Sequence, residues 1–98
     1  MIYLITNINV IELKRLSSIN LIDIRSVEKY NDNHIMNAIN IPKSMLIKNY
    51  YNYLDKNKVY YIYCESGEQS IKICQLLNSL GYKTINILGG YESWILNN

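Results

Sequence analysis

Residues 59–63, Val-Tyr-Tyr-Ile-Tyr, are a short run of β-branched and aromatic side chains that stops abruptly at Cys64. The polar stretch Glu65-Ser66-Gly67-Glu68-Gln69 follows, and from Ser70 to Leu80 apolar residues recur at helical spacing. A strand, a tight loop and an amphipathic helix in direct succession are the unit from which α/β domains are assembled. Ligands of such domains collect beyond the carboxyl ends of the parallel strands. The helix that follows offers free N–H groups and a partial positive charge to an anion. A thiolate held at that junction is stabilised, which makes the thiol a better nucleophile at neutral pH. Cys64 is therefore the candidate nucleophile.

The remainder of the chain alternates in the same way. Ile2 to Ile5 reads as a first strand, and Asn9 with Glu12 as a capping pair opening a helix whose apolar face is Val10, Leu13 and Leu16. Leu21 to Ile24 is a second strand, apolar enough to be buried on both faces. Ser26 caps a helical turn carrying Val27 and Tyr30, which Asn31-Asp32-Asn33 ends. Ala38 to Ile41 is a third strand, stopped by Pro42. Ser44 is placed to cap a helix with Ile47, Tyr50, Tyr51 and Leu54 on its inner face. In the helix after Cys64 the inner face is Ile73, Leu76, Leu77 and Leu80, and Gly81 ends it in the left-handed conformation. Thr84 to Leu88 is a fifth strand, and Gly89-Gly90 turns into a last helix bearing Tyr91, Trp94 and Ile95. The expectation is one α/β domain spanning 1–98, with a five-stranded parallel sheet flanked by helices on both faces.

Composition narrows the function. Apolar residues make up 49% of the 98 and charged residues 18%, which suits a single packed core. The formal charge of +2 is spread along the chain with no basic stripe, so no nucleic-acid partner is expected. Met1 to Asn7 has no basic lead, and no segment is long enough to span a bilayer. A cytoplasmic protein with reduced thiols and no membrane contact is expected. Cys64 and Cys74 are too few for a zinc site, so neither metal nor cofactor is expected. Along a helix Cys74 falls about 12 Å beyond the loop, whereas a disulfide needs Cα atoms within about 7 Å. One exposed, reactive thiol and one buried, structural thiol follow from that spacing.

Three stretches together resemble the rhodanese family. Leu21-Ile22-Asp23-Ile24-Arg25, Glu28-Lys29-Tyr30, His34-Ile35 and Ala38-Ile39-Asn40-Ile41-Pro42 resemble its opening signature. Cys64-Glu65-Ser66-Gly67-Glu68-Gln69-Ser70 sits where the family carries its active-site loop, and Leu88-Gly89-Gly90-Tyr91 with Trp94 resembles its closing signature. The resemblance implies a rhodanese-like fold and a sulfurtransferase. In that chemistry Cys64 takes a sulfane sulfur from a donor, holds it as a persulfide and passes it to a thiol or cyanide acceptor. A partner protein in a sulfur relay is a further acceptor the resemblance allows. Glu65, Ser66, Gly67, Glu68 and Gln69 would then form the substrate-binding loop, with backbone N–H groups turned inward on the persulfide. Gly67 suits a loop that needs conformations only glycine adopts cheaply. His34 is then a packing or backbone-bonding residue of the signature, and Asp23 and Arg25 a structural tie at the strand ends.

The loop departs from the family pattern at Gln69, where arginine or threonine is common. No basic residue lies between Cys64 and Lys72, while Glu65 and Glu68 put two acids near the thiol. A helix terminus favours a thiolate by about 0.3–1 kcal/mol and a carboxylate at about 4 Å opposes it by about 1 kcal/mol in water. The two effects are comparable, so strong activation does not follow from the loop, and a persulfide is expected as donor in preference to dianionic thiosulfate. The alternative function is a catalytically weak or inactive rhodanese-like module that binds a partner or senses redox state. Phosphatase chemistry is disfavoured, because its loops need an arginine six residues after the cysteine and this chain has Ser70 there.

Overall fold

The computed structural model describes residues 5–97. Ten elements alternate strictly: β1 (Thr6–Ile8), α1 (Val10–Lys14), β2 (Asn20–Asp23), α2 (Val27–Asp32), β3 (Ile39–Asn40), α3 (Lys43–Tyr53), β4 (Val59–Tyr63), α4 (Glu68–Ser79), β5 (Lys83–Ile87) and α5 (Gly90–Leu96). Their limits follow local chemistry. Asn9 and Glu12 form the reciprocal capping box that opens α1, and Ser26 accepts from Lys29 N–H to open α2. Gly81, at φ +94°, follows α4 in the left-handed conformation. Of the strand expected at Ile2 to Ile5, residues 2–4 lie outside the described residues and Ile5 precedes β1.

The strands form one sheet in the order β1-β5-β4-β2-β3, with every neighbouring pair parallel. From β2 the chain moves outward to β3; from β4 it moves the opposite way, through β5. The direction of winding therefore reverses between the adjacent strands β2 and β4, and a crevice opens beyond their carboxyl ends at such a switch point. Asp23 pairs with Tyr63 in register there, so Arg25 and Cys64 emerge side by side.

Helices cover both faces. Leu46 of α3 and Leu54, which caps that helix, pack with Ile73, Cys74 and Leu77 of α4 on Ile22, Tyr60 and Ile62. On the other face Val10 and Leu13 of α1 and Tyr91 of α5 pack on Leu21, Tyr63 and Ile87. Each fully buried Ile or Leu of these clusters contributes about 1.5–3 kcal/mol relative to exposure. The expected inner faces need correction in three helices. Pro42, not Ser44, precedes the first turn of α3, its fixed φ suiting a helix start, and the helix is kinked at Asn49. Leu46, Tyr50 and Leu54 therefore point inward, whereas Ile47 and Tyr51 are exposed. Leu16 and Leu76 are exposed as well, because the α1 helix ends at Lys14 and Cys74 occupies the inner face of α4.

Candidate active site

Cys64 stands directly after β4, and the loop folds back over it. Gly67, at φ +94°, is the N-cap of α4, a conformation that glycine reaches without strain. The turn brings two backbone N–H groups onto the sulfur: Gly67 donates at 3.1 Å and Ser70, in the first helical turn, at 3.3 Å. Both belong to the group of N–H donors that a helix start leaves without intrahelical partners. The Ser70 hydroxyl lies 3.4 Å from the same sulfur. Cys64 is only 4% exposed, so the expectation of an exposed thiol is corrected. Both cysteines are free and buried.

The loop is braced from α5. Tyr91 N–H donates to the Cys64 carbonyl at 2.9 Å and Glu92 N–H to the Glu65 carbonyl at 3.0 Å. This contact needs glycine at the turn, since a Cβ on Gly90 would lie 2.3 Å from the Cys64 carbonyl oxygen. The closing Gly89-Gly90-Tyr91 stretch thus acts as a backbone clamp on the loop.

A second brace comes from β2. Asp23, fully buried, accepts from the Arg25 guanidinium at 2.8 Å and from the Tyr63 hydroxyl at 2.7 Å. Arg25 also donates to the Asn33 carbonyl at 2.6 Å and to Glu65 at 3.3 Å, and lies 4.1 Å from the centre of the Tyr91 ring. Burial opposes the Arg25 charge, but the hydrogen bonds and charge of Asp23 and Glu65 outweigh it and hold the guanidinium protonated more firmly than usual. Burial, reinforced by the bond to Asp23, pushes the Tyr63 phenol above its ordinary value, so it remains a neutral donor. The expected structural tie at Asp23 and Arg25 is present. His34 also behaves as expected, stacked on Tyr30 at 3.7 Å with its Nδ1 2.8 Å from the Tyr30 carbonyl.

The acids of the loop do not dominate the electrostatics. Glu65 is matched by Arg25 and by Lys29 at 3.6 Å. Lys43, at the start of α3, donates to the Gln69 side chain at 2.8 Å. Cys64 forms part of a cleft of about 260 Å³ lined by Ile24, Arg25, Ser26, Lys29, Lys43, Glu65 and Gln69. Three cationic side chains from outside the loop therefore line the same cleft as the thiol, beside the loop acid Glu65. Of the five expected loop residues, Gly67 alone donates to the sulfur; Glu65 and Gln69 line the cleft, and Ser66 and Glu68 are exposed. Ser70, Lys29 and Lys43 were not anticipated in this role. The spacing of Ser70 at the first turn of α4 was the one local signal for any of them. Among the described residues, no group of three His, Cys, Asp or Glu side chains is placed to hold a metal ion, and no helix is long and apolar enough to cross a membrane.

A family model described as "Rhodanese-like domain" matches residues 9–97. A thiosulfate sulfurtransferase of Coxiella burnetii is 31% identical over 91 residues, covering 92% of this chain and 84% of that protein. The solved rhodanese-like domain protein of Staphylococcus aureus, 31% identical, superposes with a TM-score of 0.84 over 92% of this chain and 91% of its own. A probable molybdopterin-synthase adenylyltransferase of Porphyra purpurea is 34% identical over 98 residues, 94% of this chain, and this chain spans 26% of that longer protein.

Proposed function

The chain belongs to the rhodanese-like domain family, and on that premise we propose that it is a sulfurtransferase with Cys64 as the carrier of the transferred atom. The observation that carries this reading is the sulfur of Cys64 resting on the Gly67 and Ser70 N–H groups at the floor of a cation-rimmed cleft. In the first half-reaction the Cys64 thiolate attacks the outer, sulfane sulfur of the donor. A sulfur–sulfur bond forms to Cys64 as the donor's own sulfur–sulfur bond breaks, and the leaving group departs with the electron pair, as a thiolate from a persulfide or as sulfite from thiosulfate. In the second half-reaction a thiolate or cyanide attacks the outer sulfur and Cys64 leaves as thiolate. Atoms and electrons balance between donor and acceptor.

The protein's part is electrostatic and positional. The two N–H donors face the sulfur whichever anionic form it takes, which is the arrangement that preorganised donors exploit elsewhere. Lys29 and Lys43 provide the positive charge that Gln69 does not, so anionic donors of both kinds, persulfide and thiosulfate, fit the cleft. A thiol-bearing partner protein in a sulfur relay is an acceptor of the same chemistry.

Intact mass after incubating the reduced protein with a persulfide and, separately, with thiosulfate tests this reading. The expected result is gain of one sulfur, retained in Cys64→Ala only as background and unchanged in Cys74→Ser. Folded protein that gains no sulfur from either donor would sink the carrier reading and leave the binding or redox-sensing module in its place.

A further inference from the structure

Behind the sulfur lies a line of side chains that the transfer chemistry above does not use. Ser70, fully buried, places its hydroxyl 3.4 Å from the Cys64 sulfur and 2.6 Å from Asn86 Oδ1. Asn86, 2% exposed near the carboxyl end of β5, donates through Nδ2 to Asn7 Oδ1 at 3.0 Å. Asn7 is its register partner on β1 and is exposed to solvent. A side-chain amide buried within a strand is costly unless both ends find partners. Here one end meets Ser70 and the other leads to water through Asn7.

Direction matters along such a line. As the atoms stand, every hydrogen bond points outward: the thiol S–H to Ser70 Oγ, the Ser70 hydroxyl to Asn86 Oδ1, and the Asn86 amide to Asn7. That direction fits a neutral thiol, which has a proton to give. An anionic sulfur has none, and it would face a hydroxyl lone pair. An asparagine amide is nearly symmetric in shape, so a half-turn about its terminal bond exchanges donor and acceptor without displacing its neighbours. Turning Asn86 and Asn7 together reverses the whole line. Asn7 then donates to Asn86, Asn86 donates to Ser70 Oγ, and the Ser70 hydroxyl donates to the sulfur.

We propose that Ser70 is a positioning residue whose hydroxyl becomes a third donor to the Cys64 sulfur when it ionises, because the Asn86–Asn7 pair can reverse its hydrogen bonds. An ordinary helix-cap role does not account for the geometry. Ser70 does approach the Gly67 carbonyl, but at 3.3 Å, against 2.6 Å to Asn86. The inference rests on the proposed function only in taking Cys64 as the reacting thiol.

The test is the pH profile of Cys64 carbamidomethylation by iodoacetamide, followed on the Cys64 peptide by mass. A hydrogen bond to a charged group is worth enough that Ser70→Ala should raise the midpoint by about one pH unit. Asn7→Asp is the second variant, at an exposed position where folding is secure. An aspartate there only accepts, so it locks the line outward and should raise the midpoint by about half a unit. Its own charge is removed from the comparison by measuring in 1 M salt, where the screening length is about 3 Å. The other groups around the thiol are Arg25, Lys29, Lys43, Glu65, Glu68, Cys74 and Tyr91, and neither variant alters them.

An unchanged midpoint in folded Ser70→Ala would overturn the donor role. A raised midpoint in Ser70→Ala with none in Asn7→Asp at high salt would overturn the reversible line. Sulfur loading measured on the same samples keeps the two readings apart: variants that shift the midpoint as expected beside a wild type that gains no sulfur would remove the carrier function and keep this inference.

Discussion

Cys64 and Cys74 make an internal experiment. Both are free, and they are 4% and 0% exposed. Depth therefore does not distinguish them, but their positions relative to α4 do. The sulfur of Cys64 sits just before the helix start, where N–H groups are unspent, and two of these donate to it. Cys74 is in the helix interior, where backbone donors are already used, and its side chain packs with Ile73, Leu77 and Tyr82. Burial, only partly offset by a hydrogen bond with Thr84, pushes the Cys74 thiol up to about 11. Two thiols at the same depth thus have different surroundings: two backbone N–H groups meet the Cys64 sulfur, while apolar burial dominates around Cys74.

Breaking the backbone clamp should erase that contrast. The Cβ of Gly90→Ala would meet the Cys64 carbonyl oxygen at 2.3 Å and the Glu65 carbonyl oxygen at 2.9 Å, at a residue with φ +57°. Left-handed strain and overpacking together cost about 3 kcal/mol, relieved only by moving α5 off the loop. Urea denaturation should show the loss, and alkylation of Cys64 at pH 7 should slow about tenfold as its donors loosen. Wild-type reactivity in a destabilised Gly90→Ala protein would show that the loop holds its shape without α5.

The other half of the contrast sets a pH dependence. A thiol whose folded value lies above its unfolded one keeps its proton longer when folded. Its stabilising effect is complete below about 9 and is lost as pH rises to about 11. Two units correspond to about 2–3 kcal/mol. Tyr63 shifts in the same sense, so wild-type stability falls for two reasons over the upper part of this window. Comparing urea midpoints at pH 8.5 and 11 for wild type and Cys74→Ala isolates the cysteine: the variant should lose about 2–3 kcal/mol less. Parallel losses would mean that Cys74 ionises without opening the core.

What could be read before the structure was local. The β4 limits, the Asn9–Glu12 capping box and the glycines at 67 and 81 all depend on residues within a few positions of one another. The inner face of α3 differs from its periodic pattern because the helix starts after Pro42 and is kinked at Asn49, which periodicity alone does not register. The cations of the cleft are not legible for a different reason. Lys29, Lys43 and Arg25 reach Cys64 from three segments that meet only once β2 and β4 lie side by side. The Ser70–Asn86–Asn7 line likewise depends on β1 pairing with β5 in one register. Spacing along the chain carries neither fact.

The mildest expected effect concerns those converging cations. Cys74 packs within an apolar cluster, so charge on a reagent should matter more at Cys64. Lys43 is exposed and screened, and its removal should slow anionic iodoacetate at Cys64 about threefold at low salt, with neutral iodoacetamide changed far less. In 0.5 M salt the difference between reagents should shrink towards that of Lys43→Ala. Were both reagents slowed equally by Lys43→Ala, the lysine would be acting through its 2.8 Å bond to Gln69 and the shape of the loop. Selective slowing of iodoacetate instead assigns Lys43 to the attraction of anions, the property in which the cleft departs most from what the acidic loop implied.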